Sequence, residues 1–463
     1  MEFFQPNNIH LYIAIFLSVL NGGLLCFSSS KFLQIIQQSG YHLKGFNTWL
    51  RGTRYKYYSR LFALSLLSVA CALVTNALFD VYHTLEIYSY FGLIFYFYFS
   101  AVYIYNLIKE PNKTPLVKTK RITRMLTGLF ILYGGVTFVL IALSTEFSNL
   151  FRFAIITLTP MIVPVAVVVV FFILYPFEKL INLYYINKAK RKLKKFDRLI
   201  KIGITGSFAK TTNKFILTTM LSQKYNTICS PGSFNTPLGL TRIILQELKQ
   251  EHQIFVAEMG AKKRGEIQDL CKLIKPDYAL ITGVGSQHLE SFKSEENILK
   301  TKYELAEFVD QKQGVVVYNG QNQKCVQLYN MSQNPKKILA GTQDYAYATN
   351  IVANDNGIKF TLHLDNKSVN CTTKLLGEFN IQNICMCASL AYTLGVNLNQ
   401  IKKAISLLEP VQHRMQIMKS GNNIIIDDSF NASEEGCSVA LQTLKLFENK
   451  TKVIITPGIV EMV

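Results

Sequence analysis

The chain has 463 residues, 49% apolar, 12% aromatic and 17% charged, with 49 Lys and Arg against 30 Asp and Glu for a formal charge of +19. That apolar content excludes a disordered chain, and the composition excludes a collagen-like or coiled-coil fibre. Mean hydropathy is +0.19, and the apolar residues are unevenly spread, which points to membrane segments.

Five apolar stretches, near 9–27, 62–79, 87–108, 125–145 and 153–176, are each about the length of a helix that crosses a bilayer. The first has no basic residue before it and no small-residue cleavage site after it, so it reads as a span rather than a signal peptide. Three basic segments follow the first, third and fifth stretches: Lys31 to Arg60, Lys109 to Arg124, and Lys179 to Arg198. Together with the adjoining Glu178 they hold twenty basic residues against three acids (Glu110, Glu178 and Asp197), while the intervening loops carry Asp80, Glu86 and Glu146. Under the positive-inside rule the N-terminus lies outside and the C-terminal half in the cytoplasm. The basic segments account for most of the net charge, so anionic lipids are the expected partner and nucleic acid is not. Pro160 and Pro164 in the fifth stretch and Gly134-Gly135 in the fourth are read as tolerated kinks, with a groove for a lipid-linked substrate as the alternative. No span has a charge near its centre, which argues against an ion pathway.

From residue 199 the pattern alternates between strand and helix. Strands are expected at 199–205, 254–257 and 278–282, with helices from 210 and near 238–249, 265–274 and 295–310. This is the signature of a parallel sheet covered on both faces. A β-rich stretch is expected at 314–375, helices at 381–394 and 398–408, and a strand-helix-strand unit at 422–428, 434–448 and 452–456. The nine cysteines form no C-x-x-C pair and no zinc pattern, and read as reduced buried thiols.

Gly203-Ile-Thr-Gly206-Ser207-Phe208-Ala209-Lys210-Thr211-Thr212 follows a strand and opens a helix. Such a turn offers backbone N–H groups to phosphates. Lys210 is the expected contact of the β/γ-phosphates and the Thr211 hydroxyl an expected Mg²⁺ ligand. Ala209 stands where a glycine is usual, and an alanine resists positive φ, so some strain is expected in the loop.

Seven blocks, GITGSFAKTTNK (203–214), NTPLG (235–239), VAEMGAKKRGEI (256–267), ITGVGSQHLESFKSEENILKTKYEL (281–305), GEFNIQN (377–383), HRM (413–415) and DDSFNAS (427–433), resemble the Mur ligase family in order and spacing, and within it the branch that adds D-alanyl-D-alanine. The resemblance covers about 200–463 and implies an α/β P-loop central domain of Mur-ligase type (200–411) and an incomplete Rossmann-like last domain (412–463), which follow the α-helical membrane domain of five spans (1–180) and the basic linker (181–199) read from hydropathy and charge. It implies ATP and two Mg²⁺ ions as cofactors. Gly206, Ser207, Ala209, Lys210, Thr211, Thr212, Asn235, Asn380, Asn383, Arg414, Asp428 and Asn431 would hold the nucleotide. Thr211, Glu258, His288 and Lys302 would serve the metals, Lys302 as a carbamate. Lys210, Lys302, His288 and Arg414 would be the catalytic set.

The implied activity is ATP-dependent amide-bond formation in bacterial peptidoglycan synthesis through an acyl phosphate. A UDP- or lipid-linked muramoyl-peptide would be the acceptor and D-alanyl-D-alanine or a similar amine the nucleophile. The family commonly has Asn-Gly where Phe208-Ala209 stands, the domain that grips the UDP sugar is replaced by the spans, and only about fifty residues follow His413. These departures keep two alternatives open: an amidating ligase acting on a lipid-linked precursor, and a non-catalytic membrane-anchored nucleotide-binding scaffold for other cell-wall enzymes. A transporter is disfavoured, since the spans lack pathway residues.

Overall fold

A long apolar segment satisfies its own backbone hydrogen bonds by forming a helix, and the first part of the chain follows that rule. The computed structural model describes residues 9–53, 55–80, 91–111, 114–143, 155–232, 234–285, 289–421, 423–430, 434–447, 451–456 and 458. The chain divides into two units, Met1–Ile181 and Asn182–Val463.

The first unit contains α1 (Ile9–Ser28), α2 (Ser30–Gln38), α3 (Leu43–Gly52), α4 (Lys56–Asp80), α5 (Phe91–Lys109), α6 (Lys120–Leu143) and the start of α7 (Val163–Leu193). Its core is built from residues such as Phe32, Tyr96, Leu129, Tyr133 and Val167. The buried Asn21 amide donates to Thr137 Oγ1 (2.9 Å) and Thr159 Oγ1 (3.0 Å), and its Oδ1 accepts from Tyr96 OH (2.6 Å). Arg124 meets Glu178 at 2.6 and 2.9 Å in a two-pronged pair between α6 and α7. Against the expectation of five spans, three helices among the described residues are long and apolar enough to cross a membrane: Leu11–Ser28, Lys120–Leu143 and Ile155–Leu193. The remaining two expected spans fall on α4 and on Leu93–Lys109, the latter apolar but shorter; residues 81–90 lie outside the described residues. Pro160 sits in a 3₁₀ turn (Thr159–Ile162) and Pro164 in the first turn of α7, where a missing N–H breaks no helical bond. Gly22 lets α1 approach α6 closely, for a Cβ there would stand 3.3 Å from the Gly134 nitrogen.

The second unit begins with β1 (Ile200–Thr205), α8 (Lys210–Leu221), β2 (Thr227–Cys229), α9 (Pro237–Gln246), β3 (Ile254–Glu258), α10 (Glu266–Ile274), β4 (Tyr278–Ile281), α11 (Glu295–Gln311), β5 (Val315–Asn319), α12 (Gln323–Met331) and β6 (Lys337–Ala340). The strands form one parallel sheet in the order β2-β3-β1-β4-β5-β6. Such strands are buried on both faces and run continuously apolar, as Ile254–Glu258 does with all five residues buried. One face packs on α8 through Ile216, Leu217 and Met220, the other on α10 and α11 through Leu270, Leu305 and Val309.

Then come β7 (Ala346–Asn354), β8 (Gly357–Leu364) and β9 (Lys367–Thr373), an antiparallel sheet backed by α13 (Phe379–Thr393) and α14 (Leu398–Ser406). The β-rich stretch thus contains the helix α12, capped by the Asn322 side chain on the Cys325 N–H. Of the expected strand-helix-strand unit, the first strand and the helix are present and the last strand is not. β10 (Gln416–Ser420) and β11 (Asn423–Asp427) form an antiparallel hairpin before α15 (Glu434–Lys445). Residues 451–456 form no strand, and Val453, Ile454 and Ile455 are 72%, 61% and 95% exposed. None of the nine cysteines is paired in a disulfide among the described residues.

Candidate functional site

The strand order reverses direction at β1, with β3 on one side and β4 on the other. In an open parallel sheet that reversal opens a crevice at the carboxyl ends of the strands. The site is built there. The turn after β1 runs from Gly206 to Ala209, and a Cβ on Gly206 would collide with Thr282 Oγ1 beyond β4, so only glycine lets the turn pass. Phe208 seats its ring against Gly283. Ala209 caps α8 in the left-handed region at φ 58°, so the strain expected of an alanine there is present.

A cavity of about 430 Å³ opens over this turn. Ser207, Ala209, Lys210, Thr211, Thr212, Asn235, Glu258, Asn380, Asn383, Arg414 and Asp428 all border it. The Lys210 ammonium donates to the carbonyls of Gly206 (2.7 Å) and Ser207 (3.0 Å). Burial pushes Lys210 down to about 8, with the Arg414 charge in the same direction and Glu258 opposing.

Glu258 ends β3 with its carboxylate buried. Three side chains converge on it: Thr211 Oγ1 at 3.0 Å, Lys214 Nζ at 3.1 Å and Asn235 Nδ2 at 3.2 Å. Arg414 reaches in from the segment before β10, its Nη2 3.3 Å from Thr211 Oγ1 and its guanidinium 4.4 Å from the Phe430 ring centre. Burial lowers the Arg414 pKa, and Glu258 and Asp428 oppose that shift. Asp428 accepts the Met415 N–H at 3.2 Å, which ties the hairpin's end to the residue after Arg414. Burial raises the Asp428 carboxyl above its usual range. Asn383 accepts from Asn213 Nδ2 (2.7 Å) and donates to Asn380 Oδ1 (3.2 Å), linking α8 to α13.

Lys302 on α11 is buried and does not line the cavity; its Nζ lies 5.7 Å from the Phe292 ring centre. Burial, then the Lys210 charge, push its ammonium down to about 7 against the pull of Glu304 and Glu266. His288 and Asn431 lie outside the described residues.

Lys214 was not singled out in the sequence, yet it is fully buried against Glu258 and also donates to the Gly232 carbonyl. Asn213 was missed likewise. Both stand one helical turn beyond Ala209 and Lys210, so they share the face of α8 that bears the site. Among the described residues no three His, Cys, Asp or Glu side chains converge. What converges is one carboxylate with a hydroxyl, a hard-oxygen pair. That suits Mg²⁺, which keeps several waters and takes one or two carboxylates together with phosphate oxygens.

Comparison with known proteins follows the same lines. Residues 204–391 match the family model described as the Mur ligase middle domain. The UDP-N-acetylmuramoyl-tripeptide–D-alanyl-D-alanine ligase of Escherichia coli K12 is 31% identical over 248 residues, 52% of this chain and 54% of that protein. Its Bacillus subtilis 168 counterpart is 28% identical over 260 residues, 56% of this chain and 55% of the other. The chain therefore spans about half the length of these curated relatives. A crystal structure of MurF from Acinetobacter baumannii superposes with TM-score 0.54 at 28% identity, over 57% of this chain and 58% of that one. MurF from Thermotoga maritima in complex with ADP gives 0.52 at 25% identity, over 57% and 61%.

Proposed function

We propose that this chain, whose residues 204–391 match the Mur ligase middle domain, is an ATP-dependent amide ligase of peptidoglycan precursor synthesis that joins D-alanyl-D-alanine or a similar amine to a muramoyl-peptide. The observation that carries the reading is the convergence of Lys210, Thr211, Glu258 and Arg414 on the turn after β1, with Thr211 Oγ1 within 3.0 Å of Glu258 and 3.3 Å of Arg414.

In this reading the N–H groups opening α8 and the Lys210 ammonium bind the β/γ-phosphates. Arg414 approaches the γ-phosphate from the opposite wall. The substrate carboxylate attacks the γ-phosphorus, ADP leaves, and the amine then displaces phosphate from the acyl carbon while losing a proton. Lys210 and Arg414 are fixed before reaction, so they stabilise the developing charge without reorganising. Thr211 and Glu258 would hold Mg²⁺, which supplies further neutralisation of phosphate charge. Asn235 orients the Glu258 carboxylate, and Asn380 and Asn383 support the nucleotide side of the cavity. His288 would serve a second ion and Asp428 and Asn431 the closing wall.

Lys302 would carry a carbamate, because only a neutral amine adds CO₂, and its surroundings favour the neutral form. The three apolar helices support a place in the bacterial cell membrane, with the ligase half facing the cytoplasm and the acceptor either UDP- or lipid-linked. The test is ADP release by the full chain in detergent with Mg²⁺. It is expected to require both a muramoyl-tripeptide acceptor and D-alanyl-D-alanine; equal release with neither would remove the ligase assignment.

A further inference from the structure

The first unit holds a second cavity, a groove of about 630 Å³ between α4 and α5. The two helices pack together, and the start of α4 lies beside the end of α5 in this groove, since both Arg60 and Lys109 line it. On α4, Arg60, Leu64 and Leu67 follow at helical spacing, and on α5 Phe99, Tyr103, Asn106 and Lys109 do the same. Each stripe is apolar at one end and basic at the end it shares with the other, where Asn106 precedes Lys109 on α5. Such a groove has the polarity of an amphiphile.

Three observations suit its polar end to an anion. The Tyr103 hydroxyl is buried with no hydrogen-bond partner among the described residues, a costly state for a hydroxyl. Arg60 and Lys109 make no ion pair among the described residues; each lies over an aromatic ring, Tyr57 at 5.8 Å and Tyr105 at 4.5 Å. The one acid of the groove, Glu110, is already satisfied by Tyr57 OH (2.6 Å), Lys31 (3.5 Å) and Lys56 (3.6 Å). The local field therefore favours an anion.

We propose that this groove binds the phosphate headgroup of an anionic membrane phospholipid. Arg60 and Lys109 meet the phosphate, Asn106 and the Tyr103 hydroxyl donate to its oxygens, and one acyl chain lies along Leu64, Leu67 and Phe99. A free phosphate ion would use only half of the groove. The flanking surface also suits acyl chains, with Phe62, Tyr98 and Ile108 41%, 63% and 75% exposed. This inference is independent of the ligase reading.

The test uses the full chain in nanodiscs of phosphatidylcholine containing a trace of phosphatidylglycerol, with retained lipid counted by mass spectrometry after delipidation. Each basic contact to an anionic headgroup is worth about fivefold, so Arg60→Gln with Lys109→Gln should lower phosphatidylglycerol retention about 25-fold. Both residues are exposed, so folding is not at stake. Arg51→Gln with Lys118→Gln, outside the groove, should retain the wild-type level. Leu67→Trp, at a position 48% exposed, should obstruct the acyl path and lower retention as well. Retention unchanged in the groove variants, or lowered equally by the control pair, overturns the proposal. Displacement of the lipid by inorganic phosphate alone would overturn the lipid as the ligand.

Discussion

Ala209 holds φ at 58° without the freedom of a glycine. A non-glycine residue in that region costs about 1–2 kcal/mol, and glycine returns about 0.5–1 kcal/mol of that through the greater entropy of its unfolded chain. Ala209→Gly should therefore stabilise the second unit by about 0.5–1 kcal/mol in urea unfolding, whereas Ala209→Val should destabilise it by about 2 kcal/mol. Lys302 makes a different kind of prediction. Its ammonium form is depressed to about 7 by burial and by Lys210, so the neutral amine prevails above that pH and falls about tenfold per unit below it. Carbamate formation, followed by NMR with ¹³C-bicarbonate, should be strong at pH 8, fade below pH 7 and vanish in Lys302→Ala. A signal that persists in that variant would assign the carbamate elsewhere. That Lys210 and Thr211 would stand together at one turn was legible in the phosphate-binding pattern, and Glu258 beside them in the family resemblance. Lys214 was not, because a lysine in a helix ordinarily faces water, and nothing local says that this one is buried beneath a strand end.

At the scale of elements, α8 is the organising piece. It presents Lys210, Thr211 and Lys214 along one face, and Glu258 at the end of β3 meets two of them. Removing one member of a buried ion pair leaves an uncompensated charge at a cost of about 3–5 kcal/mol. Lys214→Met should lose about that much stability, and adding Glu258→Gln should restore part of it; strict additivity of the two would mean that the pair is not coupled. The sheet strands and the helices around them were readable from apolar runs and their spacing. The hairpin of β10 and β11 was overlooked although Ser420-Gly421-Asn422-Asn423 is a turn signal between apolar runs. The helix α12 was hidden because Gln323–Met331 buries only Cys325 and Leu328. The expected last strand failed for the opposite reason: Val453 to Ile455 have strand composition, but no described strand pairs with them. Composition proposes a strand, and a partner makes one.

At the scale of the molecule, charge and hydropathy divide the chain before any motif is considered. The three apolar helices predict that the full chain stays in the membrane fraction through a wash with about 1 M salt, where a Debye length of about 3 Å removes most surface electrostatics. Release by that wash would mean attachment through the basic segments alone. The number of helices long and apolar enough to cross a membrane was less legible than the presence of such helices, because hydropathy marks apolar length and not where a helix stops.

The central place of β1 in its sheet also bears on how the protein is made. Gly203 pairs with Ala257 on one side and with Ala279 on the other, so its neighbours are synthesised 54 and 76 residues later. At about 5–20 residues per second, the ribosome leaves this strand with both edges bare for several seconds. Ile200–Thr205 is then a sticky template, and the turn behind it cannot grip a nucleotide until β4 has emerged. Chaperone demand during translation should therefore concentrate on the interval between the emergence of residue 205 and that of residue 281.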